Sequence, residues 1–193
     1  MQSKQPLTRK LFRRPLFTAG VILSATCGLP AAADVSYNHV GVQYMNQDLD
    51  DYNCSQDGLS VYGSLDIDSG IFAQASLTDV GGNGCGSTTV TGGAGYYTKF
   101  NPQFDVYGVL RVESISPDAG DSDSGLVLAG GFRGFVRKQL ETQVELSHHT
   151  VFDGETAISG TAAYWFSSQL AGTMTLGFSS DATTIAFGAR MNF

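Results

Sequence analysis

The eleven residues that end the chain, TTIAFGARMNF, alternate without a break. Thr183, Ile185, Phe187, Ala189, Met191 and Phe193 form one set, and Thr184, Ala186, Gly188, Arg190 and Asn192 the other. A period of two is the pattern of a β-strand with one apolar and one polar face. A strand like this cannot stand at an open sheet edge, because its unpaired N–H and C=O groups and greasy face would recruit other chains. The sheet it belongs to must therefore be covered or closed.

The same alternation runs through most of the chain and is interrupted by two kinds of connection. Tight turns fall at Asp68-Ser69-Gly70, Asn101-Pro102-Gln103, Arg137-Lys138-Gln139 and Ser167-Ser168-Gln169. Longer polar links fall at 46–58, 79–87, 116–125 and 149–155, with a brief one at 180–182. Short and long connections take turns, which describes a meander with tight turns at one end and loops at the other. The strands between them are expected at 35–45, 59–67, 71–78, 88–100, 104–115, 126–136, 140–148, 156–166, 170–179 and 183–193. The reading is thus an all-β, antiparallel up-and-down barrel of ten strands, or eight if two of these segments are not strands. An even number places both termini at the tight-turn end, where the last strand can pair with the first and abolish the edge.

One face of each strand is apolar, as in Leu59, Val61, Leu65 and Ile67, or Leu170, Met174, Leu176 and Phe178. The first strand is mixed, with Val40, Val42 and Tyr44 set against Tyr37, His39 and Gln43. Alternation cannot say which face is inside: a soluble barrel packs the apolar set inward, and a membrane barrel turns it out to lipid. Three features favour the membrane, one of them the terminal pattern of Thr183 to Phe193. Phe100, Phe104, Phe135, Trp165, Phe166, Tyr37 and Phe193 cluster at the tight-turn end, as an interfacial aromatic girdle would. Charges also sit within strands: Lys99, Arg111, Glu113, Arg133, Glu141, Glu145 and Arg190 are expected to line the lumen. Inside a narrow barrel such charges must be paired or wet.

The first 33 residues read as a separate element. Lys4, Arg9, Lys10, Arg13 and Arg14 precede a short apolar run from Leu16 to Leu29, and Ala31 and Ala33 supply small residues before Asp34. This is the pattern of a secretory signal peptide at 1–33, followed by a single barrel domain at 34–193. All 18 acidic residues follow Ala33, whereas 5 of the 11 basic ones precede it, so the remainder carries 6 minus 18, or −12. That charge disfavours nucleic acid and other polyanions.

An exported chain that ends in alternating apolar residues and Phe193 resembles the small single-chain β-barrel proteins of the Gram-negative outer membrane, the porin-like and OmpA-like superfamily. The sharpest part of the likeness is Ile185, Phe187, Ala189, Met191 and Phe193. The resemblance implies residence in the outer membrane, in contact with its lipid and lipopolysaccharide. It also implies that those five residues serve as the signal read by the barrel assembly machinery after periplasmic chaperones deliver the chain. It implies no activity and no oligomeric state.

Few residues carry chemistry. Cys54 and Cys85 fall in adjacent long loops of an exported chain and are expected to form a disulfide worth on the order of 3–4 kcal/mol by loop entropy. The long loops are acidic, with Asp48, Asp50, Asp51 and Asp57, Asp118, Asp121 and Asp123, and Asp153 and Glu155. They lack the ordered spacing of a calcium loop, and neither a metal nor a cofactor is expected. Ser147 and His149, with His148 between them and Asp153 and Glu155 nearby, contain the residue types of a hydrolase triad. Ser147, His149 and Glu155 are weak catalytic candidates, since neighbouring strand residues point to opposite faces and the spacing is not diagnostic. The expected function is non-enzymatic: an envelope or surface barrel, or a narrow pore. The alternatives are a rim enzyme acting on lipid A or peptides, and a soluble periplasmic barrel that holds an apolar ligand.

Overall fold

The computed structural model describes residues 34–49 and 54–193. The signal-peptide segment 1–33, and Asp50 and Asp51 of the first loop, lie outside the described residues. Ten strands follow one another: β1 (His39–Leu49), β2 (Cys54–Asp68), β3 (Ile71–Gly82), β4 (Ser87–Lys99), β5 (Phe104–Pro117), β6 (Asp123–Arg137), β7 (Leu140–His149), β8 (Glu155–Trp165), β9 (Leu170–Phe178) and β10 (Ala182–Asn192). Each pairs antiparallel with its sequence neighbours, and β1 pairs with β10 from His39↔Asn192 to Leu49↔Ala182, so the sheet closes into a barrel. The terminal apolar strand therefore has no free edge, and the eight-stranded alternative falls away.

Local chemistry makes the turns. Ser69 and Gly70 both take positive φ, 50° and 89°, as a two-residue hairpin requires if its twist is to match the flanking strands. At the next tight turn Asn101 Oδ1 accepts the N–H groups of Gln103 and Phe104 at 2.8 and 2.9 Å. Ser167 Oγ accepts the N–H of Leu170 at 3.1 Å. Small polar side chains thus satisfy backbone donors that the ladder leaves over.

Two boundaries differ from expectation. The outer ends of the strands run further than the polar composition suggests, with β2 and β6 each 15 residues long, because ladder pairing continues into the polar segments. Residues 35–38, expected as the start of the first strand, are not strand at all. Tyr37 turns into the barrel and is 3% exposed, so this segment folds across the tight-turn mouth.

Every strand turns its apolar set outward. Val42, Leu59, Leu77, Val90, Leu110, Leu128, Leu146, Ile158, Leu176 and Phe187, one from each strand in order, are all among the exposed large hydrophobics. The mixed first strand resolves in the same sense, with Val40, Val42 and Tyr44 out and His39 and Gly41 in. Such a continuous apolar belt far exceeds the few hundred Å² that a water-soluble monomer tolerates. The assembly-signal set Ile185, Phe187, Ala189, Met191 and Phe193 lies on this outer face. The aromatic girdle needs correction. Phe100, Phe166 and Phe193 face outward, joined by Tyr96, Phe132 and Tyr164, but Tyr37 and Trp165 point into the barrel. Trp165 is carried inward by strict alternation along β8, one residue beyond outward Tyr164.

Candidate functional site

The lumen is organised along the inner face of β7, where Glu141, Gln143, Glu145, Ser147 and His149 succeed one another from the tight-turn end to the loop end. Period-two spacing puts all five on one side. Each level of this ladder meets partners from more distant strands, and three layers result.

The lowest layer is ionic and tightly paired. Glu141, 2% exposed, receives Arg133 Nε at 2.6 Å, Arg190 Nη2 at 2.5 Å and Trp165 Nε1 at 3.0 Å. Arg190 also lies over the Trp165 ring at 4.9 Å. Beside it the segment 34–38 is fastened. Tyr37 stacks on Tyr97 with ring centroids 3.8 Å apart, packs on Phe72, and lies under the Arg133 guanidinium at 5.0 Å. Arg133 Nη2 donates to the Ser36 carbonyl at 2.9 Å, and Asn38 Oδ1 accepts the Asp66 N–H at 2.8 Å. The aromatic cluster and the ion triad lie side by side at the tight-turn end of the lumen.

The middle layer is polar. Arg111 pairs with Glu145, whose second oxygen accepts from the Tyr107 hydroxyl at 2.7 Å, and Gln143 Nε2 donates to that hydroxyl at 2.6 Å. Across the barrel, hydroxyls pair between strands: Thr78 with Ser60 at 2.8 Å, Ser76 with Thr91 at 2.7 Å and Thr161 with Thr175 at 2.9 Å. These walls surround a cavity of about 320 Å³, lined by Arg111, Arg133, Arg190 and Glu145 among others. The volume is that of about ten water molecules at liquid density and far from an open porin channel.

The upper layer contains the histidine. Ser147 Oγ lies 3.1 Å from His149 Nε2, and His149 Nδ1 lies 2.9 Å from Glu113 Oε2. Glu155, expected as the third member of this group, is only the ladder neighbour of His149 on β8, and the carboxylate that reaches the ring comes from β5. The reason is direction: Glu113 lies on the lumen face of β5, 5% exposed, and reaches His149 across the intervening strand β6.

Of the seven charges expected inside, six stand in these layers. Lys99 does not. At the last residue of β4 it is at the rim, 61% exposed, and bonds Asp34 at 2.8 Å. Asp105 was missed: 5% exposed, it occupies the inner face at the start of β5. Its alternation with Phe104 and Val106 could have located it. Cys54 and Cys85 are disulfide-bonded with Cα atoms 6.6 Å apart, tying the start of β2 to the β3–β4 loop. Among the described residues no cluster of three or more His, Cys, Asp or Glu side chains could hold a metal ion.

No protein-family model matches the sequence, and no curated protein matches it significantly. The similarity lies in solved structures. The COG4313 outer membrane channel from Pseudomonas putida F1 aligns with a TM-score of 0.53 at 13% identity, over 84% of this chain and 97% of that one. The KdgM porin in complex with disordered oligogalacturonate aligns with a TM-score of 0.51 at 16% identity, over 80% and 99%. At such identities the likeness is one of fold: this chain folds as outer-membrane porins and channels do.

Proposed function

We propose that this protein is a barrel of the outer membrane whose lumen forms a narrow, restricted pore for water and small ions. One observation carries the reading: the barrel is inverted, with every strand's apolar set outside and the ionic and hydroxyl groups inside. Only hydrocarbon outside and water inside stabilise that arrangement. The porin and channel folds named above support the same location. The signal-peptide pattern at 1–33 and the terminal set ending at Phe193 would supply the export and assembly route.

Two measurements test the two halves. Leu146→Arg places a cation among outward residues near the middle of β7. In a bilayer it is expected to lower the unfolding free energy by about 2–4 kcal/mol, whereas on a water-facing surface the change would stay within about 0.5 kcal/mol. A neutral outcome in lipid vesicles refutes the membrane placement. For the pore, planar-bilayer recording of the refolded chain should give small ionic currents with no passage of sugars. Electrical silence, in both this form and the Tyr37 variant discussed below, refutes conduction and leaves an envelope-structural barrel.

A further inference from the structure

The upper layer of the lumen has a feature that a pore does not need. We propose that Ser147, His149 and Glu113 form a serine-esterase site facing the lumen, with Ser147 as nucleophile, His149 as general base and Glu113 as the positioning carboxylate. It acts on short-chain carboxylic esters of water-soluble alcohols that enter from the loop end.

The division of labour between the ring nitrogens is the first support. A carboxylate at Nδ1, 2.9 Å away, selects the tautomer with its proton on that nitrogen and leaves the Nε2 lone pair facing the Ser147 hydroxyl at 3.1 Å. Glu113 and Ser147 are nearly buried, and the His149 side chain is 25% exposed, so the group is held rigidly with one side open. The three come from β5 and β7, with β6 between them, so closure of the sheet rather than chance loop contact fixes their geometry.

Register supplies the second support. Arg111, Val127 and His149 form one cross-strand row; Val109, Ala129 and Ser147 form the next; Tyr107, Gly131 and Glu145 the third. Arg111 starts in the first row and its guanidinium bonds Glu145 in the third, so it crosses the level of Ser147. Its Nε–H is buried with no hydrogen-bond partner. A fixed cation near that level can stabilise the negative charge that develops on a carbonyl oxygen under attack. Val109 and Ala129, 3% and 5% exposed, make the row beside Ser147 apolar. The outward positions of Leu146 and His148 keep the lipid face out of the site.

The chemistry closes. Ser147 Oγ bonds to the ester carbonyl carbon as its proton passes to His149 Nε2, and the oxyanion forms beside Arg111. Collapse breaks the carbon–oxygen bond to the alcohol, which leaves with the proton from Nε2. Water then adds to the acyl-serine by the same route, releasing the carboxylic acid and restoring Ser147.

The test uses the full refolded chain, a fluorophosphonate probe and intact-mass detection. One adduct, mapped to Ser147 and absent from Ser147→Ala, is expected. Glu113→Gln should slow labelling by on the order of 10²–10⁴-fold. His149→Ala should abolish labelling, and added imidazole should restore it, which a merely structural histidine would not permit. p-Nitrophenyl acetate should be cleaved faster than the long-chain ester. A folded, heat-modifiable barrel that acquires no adduct on Ser147 overturns the proposal, as does labelling at the same rate without His149.

Discussion

Glu141→Ala is expected to destabilise the barrel by about 3–5 kcal/mol, the largest effect of any single change in the lumen. The carboxylate is the common acceptor for Arg133, Arg190 and Trp165, at 2.6, 2.5 and 3.0 Å. Its removal leaves two guanidinium groups, on residues 3% and 4% exposed, side by side without their shared acceptor, and only Asp105, the ladder partner of Arg133, remains as a buried carboxylate nearby. Desolvation of an unpaired ion, rather than loss of attraction, is the dominant cost. The urea midpoint of the vesicle-embedded protein should fall accordingly. The triple variant Glu141→Leu with Arg133→Met and Arg190→Met should recover part of it, because the two unpaired guanidinium groups are then gone and Asp105 is the charge left to be solvated. An unchanged midpoint for Glu141→Ala would mean that water reaches the layer and that this half of the lumen is open.

The second large effect concerns conduction. Tyr37→Ala removes the ring that stacks on Tyr97 at 3.8 Å and carries Arg133 at 5.0 Å, and with it most of what holds residues 34–38 in the mouth. Single-channel current is expected to rise several-fold. Tyr37→Phe serves as the control: the ring stays, and the lost hydroxyl has no hydrogen-bond partner, so current and stability should both stay near those of the parent. Equal currents from Tyr37→Ala and the parent would show that the segment does not limit the pore. The ion triad beside it, tested through Glu141, would then be the constriction.

The two variants also separate what was legible from what was not. The ionic residues of the lowest layer were visible as charges out of place, because Glu141, Arg133 and Arg190 interrupt strands whose opposite faces are apolar. Tyr37 was not. It sits in an alternating stretch whose pattern predicts strand and girdle, and nothing local distinguishes a tyrosine that meets lipid from one that folds inward onto Tyr97, 60 residues later in the chain. Lys99 was misjudged for a related reason: strand-end position decides between lumen and rim, and its partner Asp34 lies far away in sequence. The histidine of the upper layer shows the same limit. Ser147 and His149 share a face by alternation alone, but the choice of Glu113 over the sequence-adjacent Glu155 depends on the register of β5 and β6 against β7.

By itself the sequence pointed to ten strands, with eight as the alternative, and to their antiparallel order, the alternation of short and long connections and the loops that Cys54 and Cys85 would join. All of these follow from local periodicity and turn chemistry, which each segment carries without knowledge of the others. Only the tertiary structure decided which face points inward, that residues 34–38 close one mouth, and which acid faces which base. Alternation is unchanged when a barrel is turned inside out, and partners two strands apart are set by register and closure, which no short stretch of chain contains.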